Sequence, residues 1–185
     1  MATTFGPSAL ATPANAVTMG RVFLTPLLLA GILASGASWP ALALWILLAS
    51  TDGVDGYLAR RHGTTRSGAF LDPLADKLLV LGALVCLVAE GLVWWVPVAV
   101  IAVRELLMSA YRSWIGRHGV SLPARQSAKV KTVVQSVAVG VALAPTLEGA
   151  DWLTSTILWA AVALTVWSGM QYLADARRQA VRLAV

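Results

Sequence analysis

Six long apolar stretches constrain this chain more than any other feature of its sequence. A bilayer core of about 30 Å requires about 20 mainly apolar residues in a helix. The stretches that meet this requirement cover residues 17–34, 39–58, 70–89, 92–110, 130–147 and 153–173. We therefore predict an all-α integral membrane protein with six transmembrane helices. We expect a single membrane domain over residues 1–185, which includes an N-terminal segment, 1–14, and a basic C-terminal tail, 177–185.

The composition favours a membrane protein over a soluble one. Of the 185 residues, 58% are apolar and only 12% are charged, whereas an ordinary soluble domain carries about 25% charged residues. The chain therefore has too few polar and charged residues to cover the surface of a soluble globular protein. The net charge of +5 does not indicate a nucleic-acid partner, because the basic residues lie between apolar runs rather than in one patch.

The positions of the 14 Lys and Arg residues predict how the spans are oriented. The connections at residues 34–39, 90 and 148–151 contain no base, whereas basic residues surround the second and fourth connections and follow the last span. Cytoplasmic loops carry an excess of Lys and Arg. We therefore expect a multi-pass protein of the cell membrane with both termini in the cytoplasm.

Four aspartates with helical spacing are the strongest chemical signal in the chain. Asp52 and Asp55 are spaced i, i+3, and Asp72 and Asp76 are spaced i, i+4, so each pair shares one helix face. Four carboxylates at one place repel one another unless cations compensate them, and oxygen ligands suit hard divalent cations. The pattern therefore predicts a metal site. The alternative is a solvated loop with acids at helix ends, in which Asp72, before Pro73, would cap a helix.

A longer motif surrounds these aspartates. It reads Asp-x-x-Asp-Gly-x-x-Ala-Arg, then a seven-residue spacer, then Gly-x-x-x-Asp-x-x-x-Asp. This motif resembles that of the CDP-alcohol phosphatidyltransferase family, although the spacer is one residue shorter than is usual there. The matching positions are Asp52, Asp55, Gly56, Ala59, Arg60, Gly68, Asp72 and Asp76.

The resemblance implies a reaction and a set of site residues. Family members transfer a phosphatidyl group from CDP-diacylglycerol to an alcohol and release CMP. Asp76 is implied to be the general base, and Asp52, Asp55, Asp72 and Asp76 are implied to hold two Mg²⁺ ions, with Mn²⁺ as the alternative. The residues implied to contact CDP-diacylglycerol are Asn15, Thr18, Gly56, Ala59, Arg60, Thr65 and Gly68. The family likeness also implies a homodimer surrounded by membrane lipids, with an active site at the cytoplasmic end of the helix bundle.

Some of these residues have a simpler explanation. Asn15 or Thr18 would also serve as the N-cap of the first helix.

A small ion transporter that uses the acids as an ion path is a hypothesis from a different class. Transporters place ionisable groups near the bilayer midplane, whereas the acids and bases of this chain crowd one end of the predicted spans.

Basic residues in the fourth and fifth spans indicate an acceptor that carries a phosphate group. Arg104, next to Glu105, and Arg112 fall on roughly the same helix face, while Lys129 and Lys131 open the fifth span. These elements resemble the family members that use sn-glycerol 3-phosphate. Phosphatidylglycerol and inositol phosphate are the other acceptors that we consider. Contact with lipid headgroups is the alternative role for these bases.

Overall fold

The computed structural model of the chain contains only helices and the short connections between them in its described residues, which are 13–62, 68–117 and 126–183. Side chains are described for 16–51, 73–111, 113–114 and 130–171. The helices are α1 (Pro13–Ser35), α2 (Trp39–His62), α3 (Gly68–Ala89), α4 (Trp95–Arg117), α5 (Gln126–Leu143) and α6 (Asp151–Leu183), with a 3-10 turn at Pro145–Leu147. Within these ranges no strand forms, and the prediction of an all-α fold with six helices is confirmed.

Each predicted span falls on one of the helices α1 to α6, although the helix ends differ from the predicted ends by up to 10 residues. We expected the fifth apolar helix to continue to residue 147, but α5 ends at Leu143. Ala144 is extended, with φ −78° and ψ 113°, because the residue before a proline disfavours the helical conformation. The sixth helix is 33 residues long and continues past its predicted end to Leu183.

The described helices form two compact units. The first contains α1, α2 and α3 together with residues 139–151, and the second contains α4, α5 up to Ala138, and α6 from Trp152. We describe each unit by itself. The single-domain organisation of the chain stays a prediction.

In the first unit, α1 packs against both α2 and α3. Small residues allow close approach of helices, and a Cβ atom on Gly82 of α3 would lie only 3.0 Å from Cδ1 of Leu29 on α1. The fully buried apolar side chains of these helices are Leu28, Ile32, Leu48, Ala83, Leu84 and Leu87. The core of this unit therefore lies along α1, between its two neighbours.

Two glycines end helices of the first unit in the left-handed conformation. Gly36 has φ +59°, and its amide donates to the carbonyl of Ile32 at 2.8 Å. Gly91 has φ +71° and closes α3 in a Schellman motif, in which the amide of Leu92 donates to the carbonyl of Leu87 at 3.0 Å. Glycine suits both positions because it has no Cβ to clash in this conformation.

In the second unit, aliphatic side chains of α4, α5 and α6 form the core. The rings of Trp94, just before α4, and Trp159 of α6 have their centroids 6.2 Å apart. Buried apolar residues are Val98, Ile101, Ala138, Leu158, Ala161 and Val162. The inner face of α6 also buries three polar residues, Thr154, Thr165 and Ser168. A core with polar groups at defined positions requires hydrogen-bond partners for them.

Much of the described surface is apolar. Ala16–Ser35 and Asp151–Gln171 are long and apolar enough to cross a membrane, while Trp39–Thr51 and Val130–Leu143 are shorter apolar helices. Only 28% and 33% of the two long stretches is buried, whereas a core helix of a soluble protein is mostly buried. Large side chains such as Phe23, which is 74% exposed, fit contact with lipid. The number of spans and the orientation of the termini stay predictions.

Candidate active site

The motif aspartates lie on two helices of the first unit, as their spacing predicts. Residues 52 and 55 belong to α2, and residues 72 and 76 belong to α3. The alternative role for Asp72 as a helix cap is wrong, because α3 begins four residues earlier, at Gly68, and continues through Pro73. The carboxylates therefore belong to helix faces and not to an irregular loop.

For most of the predicted site residues, the structure describes no side chain. Thr65 is in the connection between α2 and α3, which falls outside the described residues. For the others only the helical backbone is described, so their side-chain contacts stay predictions. These are Asn15, Asp52, Asp55, Gly56, Ala59, Arg60, Gly68, Asp72, Arg112 and Lys129.

Asp76 is the one motif carboxylate whose surroundings are described. It forms an ion pair with the Nη1 atom of Arg21 on α1, and 31% of its side chain is exposed. Arg21 is 0% exposed in its side chain. The predicted general base therefore has a buried cation on one side and is itself partly exposed.

Arg21 also contacts the other acid-bearing helix. Its Nε atom donates to Oγ1 of Thr51 at 3.2 Å, and that hydroxyl donates to the carbonyl of Leu48 at 2.6 Å. Thr51 immediately precedes Asp52 in the chain. One guanidinium on α1 therefore contacts α2 beside the first motif aspartate and α3 at the last.

The sequence analysis did not assign Arg21 to the site, because a base near the start of an apolar run also marks the cytoplasmic side. The position of Arg21 inside a predicted span could have indicated that it pairs with an acid. A charge inside a membrane span is costly and requires a partner within the protein, and four of the six acids at the predicted cytoplasmic end of the spans belong to the motif.

Thr18 lies one turn before Arg21 and is fully buried. The helix-cap alternative is wrong for this residue, because α1 begins at Pro13 and Thr18 falls in its second turn. Asn15 likewise lies within the first turn of α1 and not before it. The predicted contact of both residues with CDP-diacylglycerol stays a prediction.

In the second unit, two of the predicted acceptor-binding bases share one carboxylate. Glu105 accepts from Nη1 of Arg104 at 2.9 Å and forms an ion pair with Nζ of Lys131. Only 13% of the Arg104 side chain and 7% of the Lys131 side chain are exposed. The structure therefore brings Arg104 of α4 and Lys131 of α5 together, as the prediction of a common site requires.

Arg104 is also held from α6. Its Nη2 atom donates to Oγ of Ser168 at 2.6 Å, whereas its buried Nε atom has no hydrogen-bond partner among the described residues. A Cβ atom on Gly169 would lie 3.5 Å from that Nε. A glycine at this position therefore leaves room beside a buried donor.

A second polar contact between α5 and α6 lies one turn further along α5 than Lys131. Nε2 of Gln135 donates to Oγ1 of Thr165 at 3.3 Å, and both residues are buried. The sequence analysis missed Ser168, Gln135 and Thr165, because single Ser, Thr and Gln residues in apolar helices carry no spacing pattern. Polar side chains between membrane helices commonly hydrogen-bond across them.

Comparison with known proteins connects this arrangement to a family. The family model described as CDP-alcohol phosphatidyltransferase matches residues 11–167. The chain belongs to the CDP-alcohol phosphatidyltransferase family. The matched region contains the complete acid motif, both helices that bear it, and the Arg104–Glu105–Lys131 cluster.

Relatives of this transferase cover most of its length. A probable phosphatidylglycerophosphate synthase of Mycobacterium tuberculosis is 37% identical over 180 residues, which are 94% of this chain and 85% of the relative. A CDP-diacylglycerol–glycerol-3-phosphate 3-phosphatidyltransferase of Escherichia coli is 37% identical over 168 residues, 87% of this chain and 92% of the relative. The Salmonella choleraesuis protein of that name is 38% identical over the same shares.

Proposed function

We propose that this transferase moves the phosphatidyl group of CDP-diacylglycerol to sn-glycerol 3-phosphate, releasing CMP and forming phosphatidylglycerophosphate. The observation that carries the proposal is the similarity, over 87% to 94% of the chain, to relatives whose names state this reaction or its product. The buried Arg104 and Lys131 support an acceptor with a phosphate group, because Arg and Lys are the usual partners of phosphate oxygens.

The chemistry proposed for the first unit is attack of the acceptor hydroxyl on the phosphorus that bears the diacylglycerol. A bond forms between that oxygen and phosphorus, and the bond from phosphorus to the bridging oxygen of CMP breaks, so that CMP leaves with the electron pair. Asp76 accepts the proton of the attacking hydroxyl. Because a carboxylate is a weak base, correct positioning of the two substrates provides much of the rate.

The residues present fit a divalent metal site, although no three metal-ligating side chains form a group within the described part of the chain. The donors are all oxygens, they lie on two helices that both pack against α1, and the described one, Asp76, is partly exposed. We propose Asp52, Asp55, Asp72 and Asp76 as the ligands of Mg²⁺, or alternatively Mn²⁺. The metal would neutralise the diphosphate and stabilise charge on the departing CMP.

For the donor, we propose that Asn15, Thr18, Gly56, Ala59, Arg60, Thr65 and Gly68 contact CDP-diacylglycerol. Arg60 suits the diphosphate, because its planar guanidinium binds two phosphate oxygens at once. For the acceptor, we propose Arg104, Arg112, Lys129 and Lys131. The pairing of Arg104 and Lys131 on Glu105 supports the shared role of these two.

We propose a homodimer with six membrane spans, both termini in the cytoplasm and the active site facing the cytoplasm. The distribution of Lys and Arg between the connections supports the orientation, and the exposed apolar side chains of α1 and α6 support contact with lipid. Cysteine-accessibility labelling in intact cells would test the orientation. A cysteine placed in the connection at residues 36–38 should react with an impermeant reagent from outside, and one in the tail should not.

A panel assay of the purified protein in detergent tests the reaction itself. We expect CMP release from CDP-diacylglycerol with sn-glycerol 3-phosphate and Mg²⁺, and none after chelation of divalent cations. The comparison acceptors are phosphatidylglycerol, inositol phosphate and serine. Faster release with one of these three would contradict the proposed acceptor, and no release with any acceptor would contradict the proposed enzyme activity.

A further inference from the structure

Arg21 joins the two helices that carry the acid motif. It is the largest fully buried side chain of the described part of the chain, it pairs with Asp76 on α3, and its Nε atom donates to Thr51 on α2. We propose that Arg21 is a positioning residue for the metal site, which sets the orientation of Asp76 and its separation from the turn of α2 that bears Asp52. This proposal rests on the function proposed above.

The burial of Arg21 distinguishes a positioning role from that of a residue that only marks the cytoplasmic side of the membrane. An arginine that marks the cytoplasmic side extends its guanidinium to the lipid headgroups. The side chain of Arg21 is instead 0% exposed and lies inside the first unit. A buried arginine is retained at a high desolvation cost, which its partners must offset.

The fork of the guanidinium explains why one residue can hold two helices. Its N–H groups point in fixed directions in one plane, so the bond from Nε to Thr51 limits where the Nη1 donor can lie. The Thr51 hydroxyl is itself held by its bond to the carbonyl of Leu48. The orientation of the Asp76 carboxylate is therefore coupled to the backbone of α2.

Metal sites depend on such supporting contacts. Partners that hold a ligand in place from outside the coordination sphere typically change metal affinity or activity by about 10- to 100-fold when they are removed. Lysine at position 21 would keep the positive charge beside Asp76 but would lack the planar fork. We therefore infer that Arg21→Lys misplaces Asp76 even where the ion pair is kept.

The experiment compares Arg21→Lys and Thr51→Val with the unaltered protein and with a matched control, Thr25→Val. Thr25 is a buried hydroxyl on α1, one turn from Arg21, and it donates only to the backbone carbonyl of residue 21 at 2.8 Å among its described contacts. Each protein, purified in detergent, is measured for its thermal midpoint, its affinity for Mn²⁺ by electron paramagnetic resonance, and its kcat for CMP release.

We expect Arg21→Lys to remain folded, to bind Mn²⁺ about 10-fold more weakly and to lose about 10- to 100-fold in kcat. Thr51→Val should change both quantities in the same direction by a smaller factor. Thr25→Val should alter the thermal midpoint without altering Mn²⁺ affinity. Unchanged Mn²⁺ affinity and kcat in folded Arg21→Lys would overturn the proposal, as would a loss that Thr25→Val reproduces in proportion to its thermal midpoint.

The two proposals fail in different ways. If the unaltered protein releases no CMP with any acceptor but Arg21→Lys still weakens Mn²⁺ binding, the proposed reaction is wrong and the positioning role stands. If the unaltered protein is active and Arg21→Lys matches it, the positioning role is wrong and the reaction stands. If the unaltered protein binds no Mn²⁺, the positioning role is overturned.

Discussion

Arg104 on α4 donates from Nη2 to the hydroxyl of Ser168 on α6 at 2.6 Å. This bond directs the guanidinium of the predicted acceptor-binding arginine toward the α6 side of the second unit. Glu105 holds the Nη1 atom of the same group. The position of Arg104 is therefore set by two neighbours, of which only Glu105 is adjacent to it in the sequence.

Removing the Ser168 hydroxyl should weaken acceptor binding more than it weakens the fold. In Ser168→Ala, Nη2 of Arg104 loses a buried partner, and a hydrogen bond to a charged group contributes about 1.5–3 kcal/mol. We expect KM for sn-glycerol 3-phosphate to rise by about 10-fold, with KM for CDP-diacylglycerol unchanged. The matched control is Ser35→Ala, an exposed serine that donates to its own helix. Equal effects of the two variants on KM would contradict the assigned role.

Lys131 should act on the acceptor and not on the donor. In Lys131→Ala the proposed acceptor phosphate loses a buried cation, so we expect the apparent KM for sn-glycerol 3-phosphate to rise by about 10- to 100-fold, following the energy of a charge-assisted hydrogen bond. The control is Arg182→Ala, in the basic tail predicted to mark topology. An unchanged dependence on sn-glycerol 3-phosphate in Lys131→Ala would assign this lysine to structure or topology alone.

Glu105 should be required for stability because it lies between two cations. In Glu105→Gln, the Arg104 and Lys131 charges lose the carboxylate that they share, and breaking a buried ion pair typically costs about 3–5 kcal/mol. We expect a clearly lower thermal midpoint in detergent. The comparison is Glu148→Gln, an exposed acid in the connection before α6. A thermal midpoint equal to that of Glu148→Gln would show that the shared carboxylate is dispensable.

Asp76→Asn should remove turnover while the protein stays folded. The amide keeps the shape of the side chain but neither accepts the proton nor carries the charge that the proposed metal requires. We expect CMP release to fall to background in a protein that remains folded but has a lower thermal midpoint, because the buried Arg21 loses its charged partner. Asp151→Asn, at the start of α6, is the matched control and should remain active. Full activity of Asp76→Asn would disprove both the base role and the ligand role.

Gly82 tests the close approach of α1 and α3. In Gly82→Val the added atoms would collide with Leu29, whose Cδ1 lies 3.0 Å from the Cβ position, and overpacking of this kind costs about 1–3 kcal/mol. We expect a lower thermal midpoint for Gly82→Val and partial recovery when Leu29→Ala is added. Additive losses in the double variant would show that the two positions are not coupled.

The sequence by itself determined the helical architecture and the acid motif from which the chemistry is proposed. Apolar runs of bilayer length predict the positions of α1 to α6, because an unpaired backbone is too costly in lipid for anything but helices or closed barrels. The helical spacing of Asp52 with Asp55 and of Asp72 with Asp76 is likewise a local property. The family resemblance can also be recognised from the sequence, because the fixed positions of the motif are close together in the chain.

Only the tertiary structure decided which residues support that motif. Arg21 and Asp76 are 55 positions apart, and Arg104 and Ser168 are 64 positions apart, so no local pattern relates them. Their pairing depends on how the helices pack, since a buried charge must find its partners wherever the fold places them. The sequence therefore indicates the groups for which we propose roles in the reaction. The packing of α1 on α2 and α3, and of α4 on α6, decides which side chains contact them.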